Sequence, residues 1–504
     1  MNHLIAQRGL QGQIECDSAG TGAYHVGEPP DRRMSAGGPR VAAGDTGFGC
    51  PAPTSARRSL CRHPFPLHFS SMPNRLLLAL LAALALVSPV VAQPAPLTAE
   101  ETRAQRIVAD PAYKAAVAAF DRDYERFVAD LIHLVEIPAP PFGEKLRGEA
   151  YAKLFRELGL EGVEMDPEGN VLGLWRGRPG GNAPLLAVAA HLDTVFPAET
   201  DVRVKRSGTR LMAPGIGDDT RGLAFVLAAI RAMRAAKVET AGDILFIGNV
   251  GEEGPGDLRG VRYLFSKSTW KDKIKRFITV DGGNNDFITN SGLGSIRYRV
   301  TFKGPGGHSW GAFGQASPAF AMGNAIAAFG KLVVPKQPKV SYNVGIVSGG
   351  TSVNSIPFEV AMEVDMRSVS PEELKKIDAQ FLKIVADAVA EENAARATTF
   401  GKITADIKLI GERPSGTIPP ENPVMRQVVA TMKSFEKVPV WNTGSTDANI
   451  PISLGIPAFA MSSQSANRGG RAHSLDEWTD VEKTQTVKDF GLALALILSV
   501  ADAP

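Results

Sequence analysis

From Asp123 to Glu136 apolar residues recur every three or four positions, at Phe127, Leu131, Leu134 and Val135, and Ile137-Pro138-Ala139-Pro140-Pro141 follows. The spacing predicts an amphipathic helix stopped by prolines. A second helix is expected over about Glu149 to Leu158. Unbroken apolar runs then alternate with helical segments: Leu185 to Ala190, a helix over Gly222 to Ala236, Ile244 to Val250, and Phe277 to Val280. Such runs, separated by helices, indicate an α/β domain with a mostly parallel sheet covered by helices on both faces. Between about Gly294 and Ile410 the pattern changes. Alternating strands at Ile296 to Phe302, Ser341 to Val347 and Glu359 to Met366, with helices over Pro318 to Leu332 and Pro371 to Ala395, predict a smaller α+β domain inserted into the first. The α/β pattern resumes with a helix from Pro423, a strand at Ala458 to Met461 and a closing helix over Val481 to Val500. The expected division is 93–293 and 411–504 for the larger domain and 294–410 for the insert.

Ahead of these elements, a short polar start with Arg75 leads into apolar Leu76 to Val87, then Ser88, Pro89 and Val90-Val91-Ala92. An apolar run of about a dozen residues falls short of the roughly 20 that a membrane-crossing helix needs. Met72 to Ala92 therefore reads as a signal peptide, and the expectation is an exported, periplasmic protein without a stable membrane anchor. Residues 1–71 are rich in Gly, Pro, Arg and Ser without periodicity, and are expected to be a disordered extension or to precede a true start at Met72. Cys16, Cys50 and Cys61 all fall there, so the chain beyond residue 92 offers no thiol for a disulfide or a metal. With 55 Lys plus Arg against 53 Asp plus Glu, there is no net field to hold nucleic acid, which leaves small molecules as partners.

Beyond residue 92 the chain has four histidines: His133, His191, His308 and His473. His133 falls within the first helix, where Asp130 and Glu136 stand three residues away on either side and are expected to pair with it. His191 ends an apolar run and is followed by Asp193, placing both at the carboxyl end of a strand, where open α/β sheets bind their ligands. Gly215-Ile216-Gly217-Asp218-Asp219 precedes a helix, so one Asp is expected to face the site and the other to cap the helix. Ile244 to Val250 leads into Gly251-Glu252-Glu253-Gly254, where neighbouring carboxylates point in different directions: one can bind metal and the other act as general base. A third strand delivers Asp281, and Arg471-Ala472-His473-Ser474 returns a histidine from a distant loop.

His191, Asp218, Glu253, Asp281 and His473 are more ligands than one tetrahedral zinc with a free water position takes. With Asp218 shared, one ion takes His191, Asp218 and Asp281, the other Asp218, Glu253 and His473. Nitrogen and carboxylate donors without sulfur suit two divalent ions, zinc before cobalt or manganese.

In order along the chain, these stretches resemble the di-zinc exopeptidase family of peptidase T, glutamate carboxypeptidase and aminoacylase. Further matching stretches are Ile137 to Glu144, Asp166 to Asn170, Gly307-His308-Ser309, Asn354-Ser355-Ile356-Pro357, Asp365-Met366-Arg367 and Ser445-Thr446-Asp447. The resemblance implies the same five metal ligands, Glu252 as general base and Asp193 as the group orienting His191. It also makes the insert a lid and dimerisation domain, with His308 on the oxyanion and Asn354 and Arg367 on the substrate. Arg221 follows Thr220 where relatives often carry Lys after the paired aspartates, a departure that leaves every ligand in place. The activity implied is cleavage of an amide bond in small peptides by a metal-activated water. The rival activity is deacylation of N-acyl amino acids on the same scaffold. A non-catalytic periplasmic binding protein is the reading outside enzymes, and it leaves Glu252 without a purpose.

Overall fold

In the computed structural model, which describes residues 97–502, a nine-stranded sheet organises the larger domain. Across it the strands run Glu161–Met165, Val171–Trp175, Ile244–Asn249, Leu186–His191, Arg276–Val280, Ala458–Met461, Phe287–Gly292 and Gly416–Thr417, with Val440–Gly444 also paired to Phe287–Gly292. Leu186–His191 pairs in parallel with Ile244–Asn249 and with Arg276–Val280, which pairs in parallel with Ala458–Met461. Every residue of these four strands is buried, which explains the unbroken apolar runs: helices cover both faces. Parallel pairing also brings the carboxyl ends of three strands, at His191, Asn249 and Val280, to one edge.

Helices Arg221–Ala235 and Lys483–Ala501 are almost wholly buried against this sheet. Lys483–Ala501 is the one helix among the described residues long and apolar enough to cross a membrane, but 78% of its apolar window is inside the protein, so it is core. Two helices precede the first one read from the sequence, Ala99–Ala109 and Pro111–Arg122. Thr98 and Glu101 form a capping box on the first; Asp110 caps the second ahead of Pro111. Both are rich in alanine, so their apolar stripe is narrow in the sequence, yet Phe120 stacks on Phe490 with centroids 3.9 Å apart. The short edge strand Glu161–Met165 and its neighbour Val171–Trp175 were also not anticipated; the Asp166 carboxylate between them accepts the amides of Glu168, Gly169 and Asn170. The second helix begins earlier than expected, at Lys145.

His133 does not pair with Asp130 or Glu136. The imidazole is exposed, while Asp130 is buried and accepts from Arg126 at 2.8 Å and Arg231 at 2.7 Å. Glu136 accepts from the Val204 amide. Two guanidinium donors satisfy Asp130 more completely than one ring N–H on the solvent side.

The second sheet is antiparallel, in the order Val340–Gly349, Glu359–Ser368, Gly294–Lys303, Thr404–Arg413, with helices Pro318–Phe329 and Pro371–Ala395 packed on it. It has its own core, including Val300, Phe302, Phe329, Met362 and Phe381. Its last strand runs past Ile410 to Arg413, three residues beyond the boundary expected from the sequence. A third, small sheet joins Gly469–Gly470, Trp478–Asp480, Arg210–Met212 and Lys205–Ser207, and so holds the segment around His473 beside the loop that carries Asp218.

Candidate metal centre

His191, the last residue of the central strand, is 1% exposed. Its Nδ1 lies 3.0 Å from the carbonyl oxygen of Asp193, which can only accept, so the ring hydrogen sits on Nδ1. Nε2 then presents its lone pair to Asp218 Oδ1 at 3.0 Å. Two acceptors face each other at that distance, and a cation, or a proton in its place, is what reconciles them.

Asp193 reaches His191 differently from expectation. Its carbonyl, not its carboxylate, is the near partner of the ring; the carboxylate is 3.7 Å from Nδ1. The carboxylate instead accepts the amides of Glu252 at 3.0 Å and Glu253 at 2.8 Å, and so pins the turn that carries both. Neither Asp218 nor Asp219 caps the following helix, whose cap position, Thr220, makes no side-chain cap. Asp219 instead accepts the His191 amide at 3.1 Å, which gives a buried strand-end N–H its acceptor.

The loop presenting Asp218 turns through Gly215, at φ +77, where a β carbon would meet Thr194 Cγ2 at 2.4 Å. Its amides at Gly215, Gly217 and Asp218 all donate to the buried carboxylate of Glu477, at 3.0, 2.7 and 2.8 Å. Glu477 lies four residues after His473, so one segment supplies both the clamp and the returning imidazole. His473 Nε2 is 3.0 Å from Glu253 Oε1 and 3.2 Å from Asp218 Oδ2.

Three overlapping groups result, each with its ligand atoms within 4.8 Å of one another: His191, Asp218 and Asp281; Asp218, Glu253 and His473; and His191, Glu252 and Glu253. Burial, reinforced by the charge of Asp218, pushes the carboxyl of Glu253 up to about 7 and that of Asp281 up to about 6. Burial also raises Asp218, but His191 and His473 outweigh it and hold the carboxyl below its ordinary range. Hydrogen bonding to Asp218 raises His473 to about 9. Burial works against charge on His191, yet the carboxylates of Asp193 and Asp218 prevail and raise it. Crowded carboxylates that hold protons in this way, with only nitrogen and oxygen donors present, fit divalent cations.

Glu252 is 5% exposed, and burial raises its carboxyl well above the ordinary range. Arg413 donates from Nη1 to Glu252 Oε1 at 3.0 Å and to Ser445 Oγ at 3.0 Å, and from Nη2 to the Glu252 carbonyl. Asp447, buried, accepts from Asn249 Nδ2 at 2.7 Å.

The three residues assigned to the lid are not joined to this cluster. His308 is exposed in Gly307–His308, which pairs with Ser355–Ile356, and its Nδ1 accepts the amides of Trp310 and Gly311. Asn354 is exposed, and its Oδ1 accepts from the Ser352 hydroxyl. Arg367 is half-buried and donates to Asp365, whose other oxygen takes Arg297. Sequence reading missed Arg413 and Glu477. The spacing from His473 was the only local signal for Glu477, and nothing local marked Arg413.

Residues 187–496 match Peptidase family M20/M25/M40, and the chain belongs to that family. Over 209 residues it is 25% identical to carboxypeptidase G2 of Pseudomonas sp. (strain RS-16), covering 39% of this chain and 47% of that protein. The chain thus spans about half the length of that relative. It is 25% identical to YqjE of Bacillus subtilis over 393 residues, covering 75% of this chain and 99% of that protein. Among solved structures, aminopeptidase PepT from Bacillus cereus superposes with a TM-score of 0.60 at 22% identity, covering 75% of this chain and 99% of that one. The dipeptidase Dug1p from Saccharomyces cerevisiae does so at 0.60 and 14%, covering 78% and 99%. These structural likenesses show the fold.

Proposed function

We propose that the protein is a two-metal hydrolase, an exopeptidase cleaving an amide bond of small peptides, with zinc as the ion. The observation that carries this reading is the sharing of Asp218 between two ligand groups, one with His191 and Asp281 and one with Glu253 and His473. When bound, such an ion pair polarises a scissile carbonyl and makes water acidic enough to attack at neutral pH. Glu252, beside Glu253 yet bonded to Arg413, would take a proton from the attacking water and pass it to the leaving amine. Asp193 holds the Glu252–Glu253 turn and the His191 ring at once, which keeps base and ligand in fixed relation. His308 stands apart from the cluster within one copy, so in the homodimer below the partner subunit's His308 meets the oxyanion, and Asn354 and Arg367, on the same smaller domain, hold the substrate's polar end. Family membership and peptidase neighbours of the same fold support the activity. Zinc-loaded protein is tested on dipeptides, tripeptides and N-acetyl amino acids, with metal content measured in parallel. Glu252→Gln retains its metal and loses about 10²- to 10⁴-fold in kcat; near-normal turnover of that variant removes the base assignment.

A deacylase of N-acyl amino acids uses the same site, and the panel separates the two. We also propose export through Met72 to Ala92, residues that lie outside those described. An amino terminus located upstream of Gln93 in secreted protein would refute cleavage after Ala92. A homodimer through the smaller domain is supported by its outer strand Val340–Gly349, an edge with no charged side chain. A monomer in sedimentation at micromolar concentration excludes it.

A further inference from the structure

Next to the ligand cluster lies a cavity of about 110 Å³ walled by Gly282 and Gly283 and by Gly469 and Gly470. Asp218 and Asp281 belong to its lining; Glu252 and Glu253 do not. At roughly 30 Å³ for a water-sized group, the space takes about four such groups.

Gln464, 3% exposed, is part of this wall, and a relay of hydrogen bonds sets the orientation of its amide. The buried guanidinium of Arg221, which only donates, gives Nη1–H to Thr479 Oγ1 at 2.9 Å. The Thr479 hydroxyl donates onward, with Gln464 Oε1 at 3.0 Å nearer than the Arg468 carbonyl at 3.5 Å. With Oε1 engaged, Nε2 is the end turned towards Gly469, where a β carbon would come within 2.7 Å of it. Among the described residues the Gln464 side chain makes no other hydrogen bond. A donor at the cavity wall with no partner among the described residues can give its hydrogen to an acceptor from outside the chain.

Resting on the hydrolase reading above, we propose that this cavity receives the group attached to the reacting carbonyl and that Gln464 selects it. The selected group has up to about four heavy atoms and bears a hydrogen-bond acceptor. The leaving amine must face Glu252, which returns the proton to it. Because Glu252 is absent from the cavity lining, the acyl side is the half that enters. Arg221 thereby fixes Thr479 and through it the direction of the amide.

The test compares isosteric substrates that differ by one oxygen: seryl against 2-aminobutyryl dipeptides, or hydroxyacetyl against propionyl amino acids, whichever class is turned over. Zinc-loaded protein prefers the oxygen-bearing member at least ten-fold in kcat/KM, and a leucyl or 4-methylpentanoyl group is at least a hundred-fold poorer. Gln464→Met brings the oxygen preference to within about two-fold, as does Thr479→Val, which frees the amide to turn. A ratio near one in the unaltered protein, or one unchanged in both variants, overturns the assignment. Equilibrium binding of the same pairs to zinc-loaded Glu252→Gln reads the preference without turnover. Equal binding there overturns the pocket. Selective binding without hydrolysis by the unaltered protein sustains the pocket and defeats the hydrolase reading.

Discussion

Arg413 and Glu252, 161 residues apart, meet as a buried ion pair with Nη1 3.0 Å from Oε1, both side chains under one-tenth exposed. Arg413 ends the last strand of the smaller sheet, while Glu252 follows a central strand of the larger one. Next to this pair, the Glu412 amide donates to Asp257 at 3.0 Å, and its carbonyl accepts from Arg262 at 2.5 Å. The smaller domain is thus bonded directly to the turn that carries the proposed base.

Arg413→Met is expected to lower kcat about 10- to 100-fold with metal content unchanged, because a charge-assisted hydrogen bond of roughly 1.5–3 kcal/mol fixing Glu252 is lost. Steady-state kinetics with metal analysis checks this; an unchanged kcat would separate the pair from catalysis.

Glu477→Ala leaves the amides of Gly215, Gly217 and Asp218 without their acceptor and lets Asp218 drift from His473. Metal affinity should drop about 10- to 100-fold, as for other groups that orient ligands. Titration against a chromophoric chelator measures it. Glu477→Gln, which keeps one acceptor oxygen, should fall between the two; equal affinities for all three proteins contradict the clamp.

Arg147, fully buried, donates to the carbonyls of Val135, Ile137 and Leu192. Burial lowers its pKa to about 10, and it remains charged at neutral pH. Arg147→Met strands those acceptors next to the His191 and Asp193 segment. The expected loss is about 3 kcal/mol or more of stability, read from urea unfolding, and a loss under half of that would mean the carbonyls find other donors.

Metal-free protein should lose stability as pH rises. Glu253 at about 7 and Asp281 at about 6 hold their protons more tightly folded than in an unfolded chain, where carboxyls titrate near 4. Their contribution is complete below about pH 4 and disappears as pH passes through 6 to 7. Bound cations favour the ionised carboxylates and oppose that loss. Thermal unfolding between pH 5 and 8, with and without chelator, should show a gap that widens with pH. A constant gap would exclude these carboxyls as its source.

Much of this was legible in the chain alone. Unbroken apolar runs at Leu185 to Ala190 and Ile244 to Val250 mark strands buried on both faces, and alternation after Gly294 marks a sheet buried on one, because side-chain period and burial are local properties. Alanine-rich Ala99–Ala109 and Pro111–Arg122 escaped because small side chains make a weak stripe, and only packing on the closing helix shows which face is inside.

The sequence by itself determined which residues had the chemistry for a metal site and that several stood at strand ends. Tertiary structure alone decided how they meet: the carbonyl of Asp193 on His191, Asp219 on a strand amide rather than a helix cap, Glu477 beneath the Asp218 loop, and Arg413 on Glu252. Spacing of two residues puts Asp193 near His191 without saying which oxygen arrives. A hydrogen bond closed across 161 or 259 residues leaves no periodicity to read, since its partners share only the place to which the packed sheets bring them.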